Sequence, residues 1–384
     1  MCYDSGQFKG KSVLELGPNH CWRSQTGPME GERQSIIVTG ISGNLGQRVL
    51  PFLGRYNVIG LDMRPPSGAM PDQFESIDLG REASCRQLQK LIEKTGACGV
   101  IHLAFVLDPL MTGVLDEDRM WQINVAGTAR VMEAISVANR YGASVTRFIF
   151  PSSVAAYGPN TNGPVREDAP LDAHTLTYAI HKMECDRVVQ LRQEFMGNCT
   201  TYMLRPHIFT GATMQNYMVG ALRGTPLGKG PRAEKMRAKG KRLPLMLPFG
   251  DEYLHHQLQF IHVDDMARLV AWLARRDSEG NVLHILNVAG RGGSLSIQQC
   301  AEIAHSKIVR VPKSMCGLAL RKLWEWGISS IPPDALPYMI GSYTMNTSRL
   351  QQLLGSEYDQ VIKYTVQDAL ADSFKSSEAA GASA

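Results

Sequence analysis

Several features are scarce in this 384-residue chain. No two cysteines stand at Cys-x-x-Cys spacing, and the eight present are scattered. That argues against a zinc ribbon or a disulfide frame and predicts reduced thiols, with no metal site. No apolar run approaches the ~18–20 residues of a membrane span. The opening residues Met1-Cys2-Tyr3-Asp4-Ser5-Gly6 have neither the basic start nor the apolar stretch of a secretory leader. A cytoplasmic protein without a membrane span is the expectation. Charge of one sign is also lacking: the formal net charge is +4, too mild at this length to point to a nucleic-acid partner. No internal repeat is present. What remains is 44% hydrophobic and 20% charged, ordinary for a globular protein. It is enough chain for one large α/β domain and a smaller annex.

The most informative stretch is Ser35-Ile36-Ile37-Val38-Thr39-Gly40-Ile41-Ser42-Gly43-Asn44-Leu45-Gly46. A strand-type apolar run meets three glycines at three-residue spacing, and Leu45, Val49, Leu50 and Leu53 then mark one face of a helix. A strand turning sharply into a helix aims backbone N–H groups and the positive end of the helix dipole at one spot, which attracts an anion. Glycines let a diphosphate approach where a Cβ would collide. The next strand, Asn57 to Leu61, ends in Asp62. That is about twenty residues after the loop begins, where a dinucleotide fold sets a carboxylate on the adenosine ribose. Asp62 suits two ribose hydroxyls and repels a 2′-phosphate, a repulsion that Arg64 softens; NAD is favoured and NADP is the alternative. Pro51 removes a donor inside the expected helix and predicts a kink or irregular turn there.

From Ser35 the pattern alternates strand and helix. A short strand over Phe74 to Ile77 leads into Asp78-Leu79, and a helix covers Cys85 to Lys94. Val100 to Ala104 reads as a buried strand and Asp116 to Tyr141 as a long helix. The strand Arg147 to Phe150 leads to Pro151-Ser152-Ser153. A helix over Thr177 to Glu194 precedes the strand Thr201 to Leu204, which ends at Arg205-Pro206. This alternation implies a doubly wound parallel sheet, Rossmann-like, with ligands at the carboxyl ends of its strands. Residues 1–34 read as an N-terminal extension and 35–206 as the dinucleotide-binding domain. Residues 207–372 read as a mixed substrate lobe, of which about 258–290 return to complete the core, and 373–384 as a tail. Within the lobe, Gly224 to Leu243 is rich in Gly, Pro and basic residues, among them Lys229, Arg232, Arg237 and Arg242. It reads as a solvated loop or as a flap over an anionic substrate. Asp264 is expected to cap the helix after the strand Phe260 to Val263.

A second constellation carries chemistry. Tyr178 and Lys182 are four residues apart, so a helix puts both on one face. Ser153 sits just beyond a strand end. A phenol of pKa ~10 is a poor base at neutral pH. An ammonium ~5 Å away at an effective dielectric of ~20 would favour the phenolate by ~3 kcal/mol, and a bound nicotinamide cation would push the same way. The serine hydroxyl is placed to hold a substrate oxygen in line with the ring.

In this order and spacing the chain resembles the extended short-chain dehydrogenase/reductases, in the NAD-dependent epimerase/dehydratase group. The matching pieces are Thr39 to Gly46, Asp62, Asp78-Leu79, His102-Leu103-Ala104, Asn124-Val125-Ala126-Gly127-Thr128, Ser152 to Gly158, Tyr178 with Lys182, Leu204-Arg205-Pro206 and His262-Val263-Asp264-Asp265. The resemblance implies that Gly40, Ser42, Gly43, Asn44, Leu45 and Gly46 hold the pyrophosphate, Asp62 the ribose, and Asp78 with Leu79 the adenine. It implies that Leu103 and Ala104 line the nicotinamide side and that Arg205 and Pro206 border the cofactor. Ser153, Tyr178 and Lys182 are then the catalytic set, with Lys182 also on the nicotinamide ribose, and Asn124 keeps the site in shape. His102 reads as a packed strand residue. The resemblance admits a homodimer and a small-molecule substrate, a nucleotide sugar among the candidates.

It also separates reaction types. Where the family's dehydratases carry an Asp-Glu pair, this chain has Val154 and Ala155, so dehydration is not expected. Where its sugar-nucleotide epimerases carry an arginine and an asparagine, this chain has Leu258 and His207. The expectation is an NAD-dependent oxidoreductase or epimerase acting on a secondary alcohol or ketone. A non-catalytic dinucleotide sensor or scaffold on the same fold is the alternative.

Overall fold

The run Ser35–Thr39 (β1) has no polar alternation, so both its faces need cover. In the computed structural model, which describes residues 33–107, 116–161 and 163–375, β1 lies inside a seven-stranded sheet. The chain continues through α1 (Asn44–Val49), β2 (Asn57–Asp62), β3 (Gln73–Ser76), α2 (Ala83–Thr95), β4 (Gly99–His102), α3 (Glu117–Arg140), β5 (Arg147–Pro151), α4 (Thr177–Arg192) and β6 (Thr200–Pro206). The lobe beyond β6 contains β7 (Ile208–Thr210), α5 (Tyr217–Arg223), α6 (Pro231–Ala238), β8 (Leu245–Pro248), β9 (Phe260–His262) and α7 (Val263–Arg275). After these come β10 (Leu283–Val288), α8 (Ile297–Ile303), β11 (Ile308–Val311), α9 (Lys313–Glu325) and α10 (Leu336–Ile340).

The sheet order is β10-β6-β5-β4-β1-β2-β3, all neighbours parallel. The order reverses between β1 and β4, and a crevice opens there at the carboxyl ends of the strands. One face is covered by α2, α3 and α4 over a core that includes Ile37, Leu61, Leu88, Val131, Phe148 and Met203. The other is covered by α1 and α7 over Val38, Val49, Ile101, Leu204, Leu269 and Leu286.

Local chemistry accounts for the boundaries and for several departures from expectation. α1 stops at Val49 and passes into a 3-10 turn, Leu50–Leu53, with Pro51 in its first turn. A proline without an N–H is tolerated there. β4 ends at His102, so Leu103 and Ala104 belong to the loop rather than the strand. α7 is capped by His262, whose side chain accepts from the Asp264 N–H at 3.1 Å. Asp264 is therefore not the cap: it sits within the first turn and accepts from Arg48 Nη1 at 2.7 Å, tying α1 to α7. The basic segment Gly224 to Leu243 is not a plain loop, since α6 lies within it. Arg237 donates to the Gly228 carbonyl at 2.9 Å, and Arg242 Nε donates to the Arg223 carbonyl at 2.7 Å. The expected N-terminal extension, to residue 32, and residues 376–384 of the expected tail lie outside the described residues. Ser373 is buried, and its Oγ accepts from the Gly211 N–H at 2.9 Å. Among the described residues no helix is long and apolar enough to cross a membrane.

One buried ion pair joins the halves of this scaffold. Arg205 on β6 donates through Nε to Asp186 on α4 at 2.7 Å, with 2% and 0% of the two side chains exposed. Arg205 Nη1 also donates to the Tyr157 hydroxyl at 2.7 Å and to the Glu167 carbonyl at 2.9 Å. The Tyr157 hydroxyl in turn donates to Asn287 on β10 at 2.7 Å. Removing one member leaves the other charge buried without compensation. Arg205→Leu is expected to lower stability by about 3–5 kcal/mol in urea unfolding; a loss under ~1 kcal/mol, the range of an exposed pair, would show that the network is not holding the fold.

Candidate active site

The turn between β1 and α1 is glycine-rich for more than one reason. Gly40 has φ +70°, and a Cβ on it would lie 2.5 Å from the Ala104 backbone nitrogen. A Cβ on Gly46 would lie 2.5 Å from the Gly40 carbonyl oxygen. Folding alone fixes these two. Gly43 differs: a Cβ there would meet only the Gly40 carbonyl, at 3.3 Å, and the residue faces solvent. As N-cap of α1, Gly43 offers no side chain to the first-turn N–H groups. That leaves an open cradle of backbone donors suited to an anion such as a diphosphate. Asn44 beside it is exposed.

At the end of β2, Asp62 is locked against the turn. Its Oδ2 accepts from the Ser42 N–H at 3.1 Å and its Oδ1 from the Met63 N–H at 2.8 Å. The Ser42 hydroxyl donates to the Arg64 carbonyl at 2.6 Å, and the Arg64 side chain is exposed. Asp78 is held by Arg119 of α3, by Arg81 at 3.3 Å and by the Gly80 N–H at 3.0 Å. Leu79 is buried, and its carbonyl accepts from Arg130 at 3.0 Å.

A cavity of about 280 Å³ occupies the crevice, and Leu45, Leu103, Ala104, Ser153, Tyr178, Lys182 and Pro206 all lie on its wall. The glycine turn, through Leu45, and the phenol therefore share one crevice. Tyr178 meets Phe105 edge to face, with centroids 5.8 Å apart and planes at 86°, and shares the cavity wall with Ser153. The Ser153 Oγ also accepts from the Ala155 N–H at 3.1 Å, capping a 3-10 turn, Val154–Tyr157. Lys182 is 5% exposed; its Nζ donates to the Pro151 carbonyl at 2.7 Å and lies 3.6 Å from the centre of the Phe105 ring.

These surroundings overturn one expectation. The sequence reading has Lys182 pulling the Tyr178 pKa down. Instead, burial pushes the Tyr178 phenol up to about 12, only partly offset by the Ser153 hydroxyl. Burial likewise pushes Lys182 down to about 8. The dry cleft disfavours both charged forms, and the ammonium is engaged by a carbonyl and an aromatic face.

The other sequence-predicted residues fall into two groups. Arg205 is not on the cavity wall; its guanidinium is spent in the buried network. Asn124, also buried, clamps the loop after β4: its Oδ1 accepts from the Val106 N–H at 2.7 Å and its Nδ2 donates to the Val106 carbonyl at 3.0 Å. His102 is hydrogen-bonded to Thr39 at 2.7 Å and to Thr128 at 3.1 Å, and burial pushes it down to about 3, so it stays neutral. Val154 and Ala155 add apolar wall. His207 stacks on Tyr343 with centroids 5.2 Å apart and is pushed down to about 4 by burial. Sequence reasoning missed Phe105, although it directly follows His102-Leu103-Ala104. It also missed the apolar wall supplied by Phe209, Met214, Tyr217 and Met339.

Comparison with known proteins adds the following. A family model described as "NAD dependent epimerase/dehydratase family" matches residues 36–289. A UDP-glucose 4-epimerase of Streptomyces lividans is 28% identical over 214 residues, 53% of this chain and 58% of that enzyme. The chain spans about half the length of the curated relatives it matches. MoeE5, solved in complex with UDP-glucuronic acid and NAD, superposes with a TM-score of 0.60 at 18% identity, over 89% of this chain and 98% of that one. UDP-glucose 4-epimerase from Bifidobacterium longum, solved with NAD+ and UDP, gives 0.60 at 18% identity, over 89% and 97%. At these identities the structural likeness is one of fold.

The lysine shift has a consequence for stability. Its folded pKa, about 8, lies below the ordinary lysine value of 10.5. The unfolded chain therefore binds the proton more tightly, and the penalty for burying the charge is full below pH 8 and fades as pH rises towards 10.5. Relative to Lys182→Met, the wild type is expected to gain about 2 kcal/mol between pH 7.5 and 9.5. Urea unfolding of both proteins at the two pH values reads this out; a flat difference would mean the ammonium is not desolvated.

Proposed function

The chain belongs to the NAD-dependent epimerase/dehydratase family, and from that premise we propose that it is an NAD-dependent oxidoreductase or epimerase working at a secondary alcohol or ketone in the cytoplasm. The supporting observation is the meeting of the glycine turn and Tyr178 in one crevice. The cradle at Gly43 fits a diphosphate, and Asp62, held by two backbone N–H groups, faces the position of a ribose diol. A carboxylate there repels a 2′-phosphate, which favours NAD over NADP. Asp78 and Leu79 would border the adenine, and Leu103 with Ala104 the nicotinamide. NAD, when bound, supplies the hydride acceptor and donor.

The chain's own residues handle the proton. Tyr178, at about 12, keeps its hydroxyl proton at neutral pH, so it stands ready to donate to a ketone oxygen. In the opposite sense it takes the proton of an alcohol, once positive charge in the cleft lowers its pKa. Ser153, on the same cavity wall, positions the substrate oxygen beside the phenol. Lys182 provides the nearest cation and props the Pro151 carbonyl and the Phe105 ring. Val154 and Ala155 offer neither acid nor base, which disfavours loss of water. The Streptomyces lividans relative is by name a UDP-glucose 4-epimerase, which makes UDP-glucose the reference ligand against which other candidates are compared.

Two variants separate cofactor binding from proton transfer. Gly43→Ala is expected to unfold at the wild-type temperature yet to bind NAD at least ~10-fold more weakly by calorimetry, because the added methyl fills the approach to the cradle. Tyr178→Phe is expected to bind NAD normally and to lose ~10²–10⁴-fold in turnover. Undiminished turnover in that variant would remove the tyrosine from the chemistry.

A further inference from the structure

We propose that the site takes an elongated, uncharged apolar secondary alcohol or ketone rather than a nucleoside diphosphate sugar. The inference rests on Tyr178 as the proton-transfer group, which fixes where the reacting oxygen sits. Beyond that point the cavity wall is built by Phe209, Met214, Tyr217, Met218, Met339 and Tyr343. Among the described residues of the wall, Lys182 is the one cationic side chain, and it is bonded to the Pro151 carbonyl. The two wall histidines, His102 and His207, are held neutral by burial. A diphosphate here would lose its water without gaining a counter-charge, a penalty of several kcal/mol per ion.

Three arginines of α5 and the segment after it are engaged with backbone carbonyls. Arg223 donates to the Ser373 carbonyl at 3.1 Å, Arg237 to the Gly228 carbonyl at 2.9 Å, and Arg242 to the Arg223 carbonyl at 2.7 Å. Of the two wall amides on α5's approach, Gln215 is exposed and Asn216 is occupied: its Nδ2 donates to the Phe209 carbonyl at 2.7 Å, while its Oδ1 accepts from the Val219 N–H at 3.0 Å.

A second observation gives the ligand its shape. A further cavity of about 90 Å³ lies between α5, α9 and α10, walled by Leu227, Leu247, Leu320, Leu323 and Leu336. Met339 of α10 belongs to the walls of both cavities. A thioether side chain is the most easily displaced of partitions. An apolar chain whose hydroxyl or carbonyl is held at Tyr178 thus has a dry path towards the second cavity, with Met339 as the measure of its length.

The test is calorimetric titration of the full chain, saturated with NAD+, against 2-alkanones from butanone to 2-dodecanone, and against UDP and UDP-glucose. Alkanones cannot reduce NAD+, so binding is read without turnover. Affinity is expected to rise about threefold to fourfold per methylene, then level off at one chain length. Met339→Ala is expected to move that break to longer chains and Met339→Phe to shorter ones, each with unfolding temperature monitored. Tight binding of UDP-glucose with alkanone affinity independent of length would overturn the proposal, as would a break that neither substitution moves. If alkanones bind as expected while 2-alkanols never reduce NAD+, the ligand class stands and the redox reading falls.

Discussion

Gly40 and Ala104 approach so closely that a side chain on the glycine would sit 2.5 Å from the alanine nitrogen. The rest of the site depends on that contact. It presses the first strand-to-helix turn against the exit of the neighbouring strand, just where the sheet changes its winding direction. Because β1 and β4 leave the sheet on opposite courses, the gap between them is the one place where a backbone cradle and side chains from β5 and α4 can face each other. Leu45 reaches the wall from one side and Tyr178 from the other.

What the sequence made legible follows from the range of the interactions involved. The strand, the glycine turn and the carboxylate ending β2 are local patterns, and local patterns survive translation into structure. Ser153, Tyr178 and Lys182 were recognisable by order along the chain, and they do converge on one cavity. Spacing could not convey dielectric: four residues on a helix place an amine near a phenol, but only the packed cleft decides that burial outweighs their attraction. Nor could it convey long-range partners. The ring of Phe105 against Lys182 and the guanidinium of Arg205 on Asp186 depend on contacts between distant segments. The helix in the basic segment was hidden for a similar reason, since Arg237 and Arg242, though exposed, also donate to backbone carbonyls. His262 displaced Asp264 as a cap because the helix starts two residues earlier than the charge pattern suggests.

A single physical theme links the site to its surroundings. Charge is paid for in a few places: Arg205 with Asp186 beneath the sheet's carboxyl end, Arg48 with Asp264 between two helices, and Arg119 with Asp78 beside α3. The cleft itself is left dry. The same desolvation that lifts the phenol and lowers the amine makes any further ion unwelcome. The Tyr178 phenol and the cavity wall thus favour neutral species together, and a shared fold does not by itself fix the electrostatics of a site.

The proline after α1 gives the scaffold an unexpected convenience. Ending the helix after six residues confines the ligand-facing field to a single turn of backbone, so little of it depends on the corner that follows. Phe52 and Arg55 in that corner are exposed. A reporter dye attached there would sit at the amino ends of the strands, at the opposite end of the sheet from the crevice and outside its chemistry.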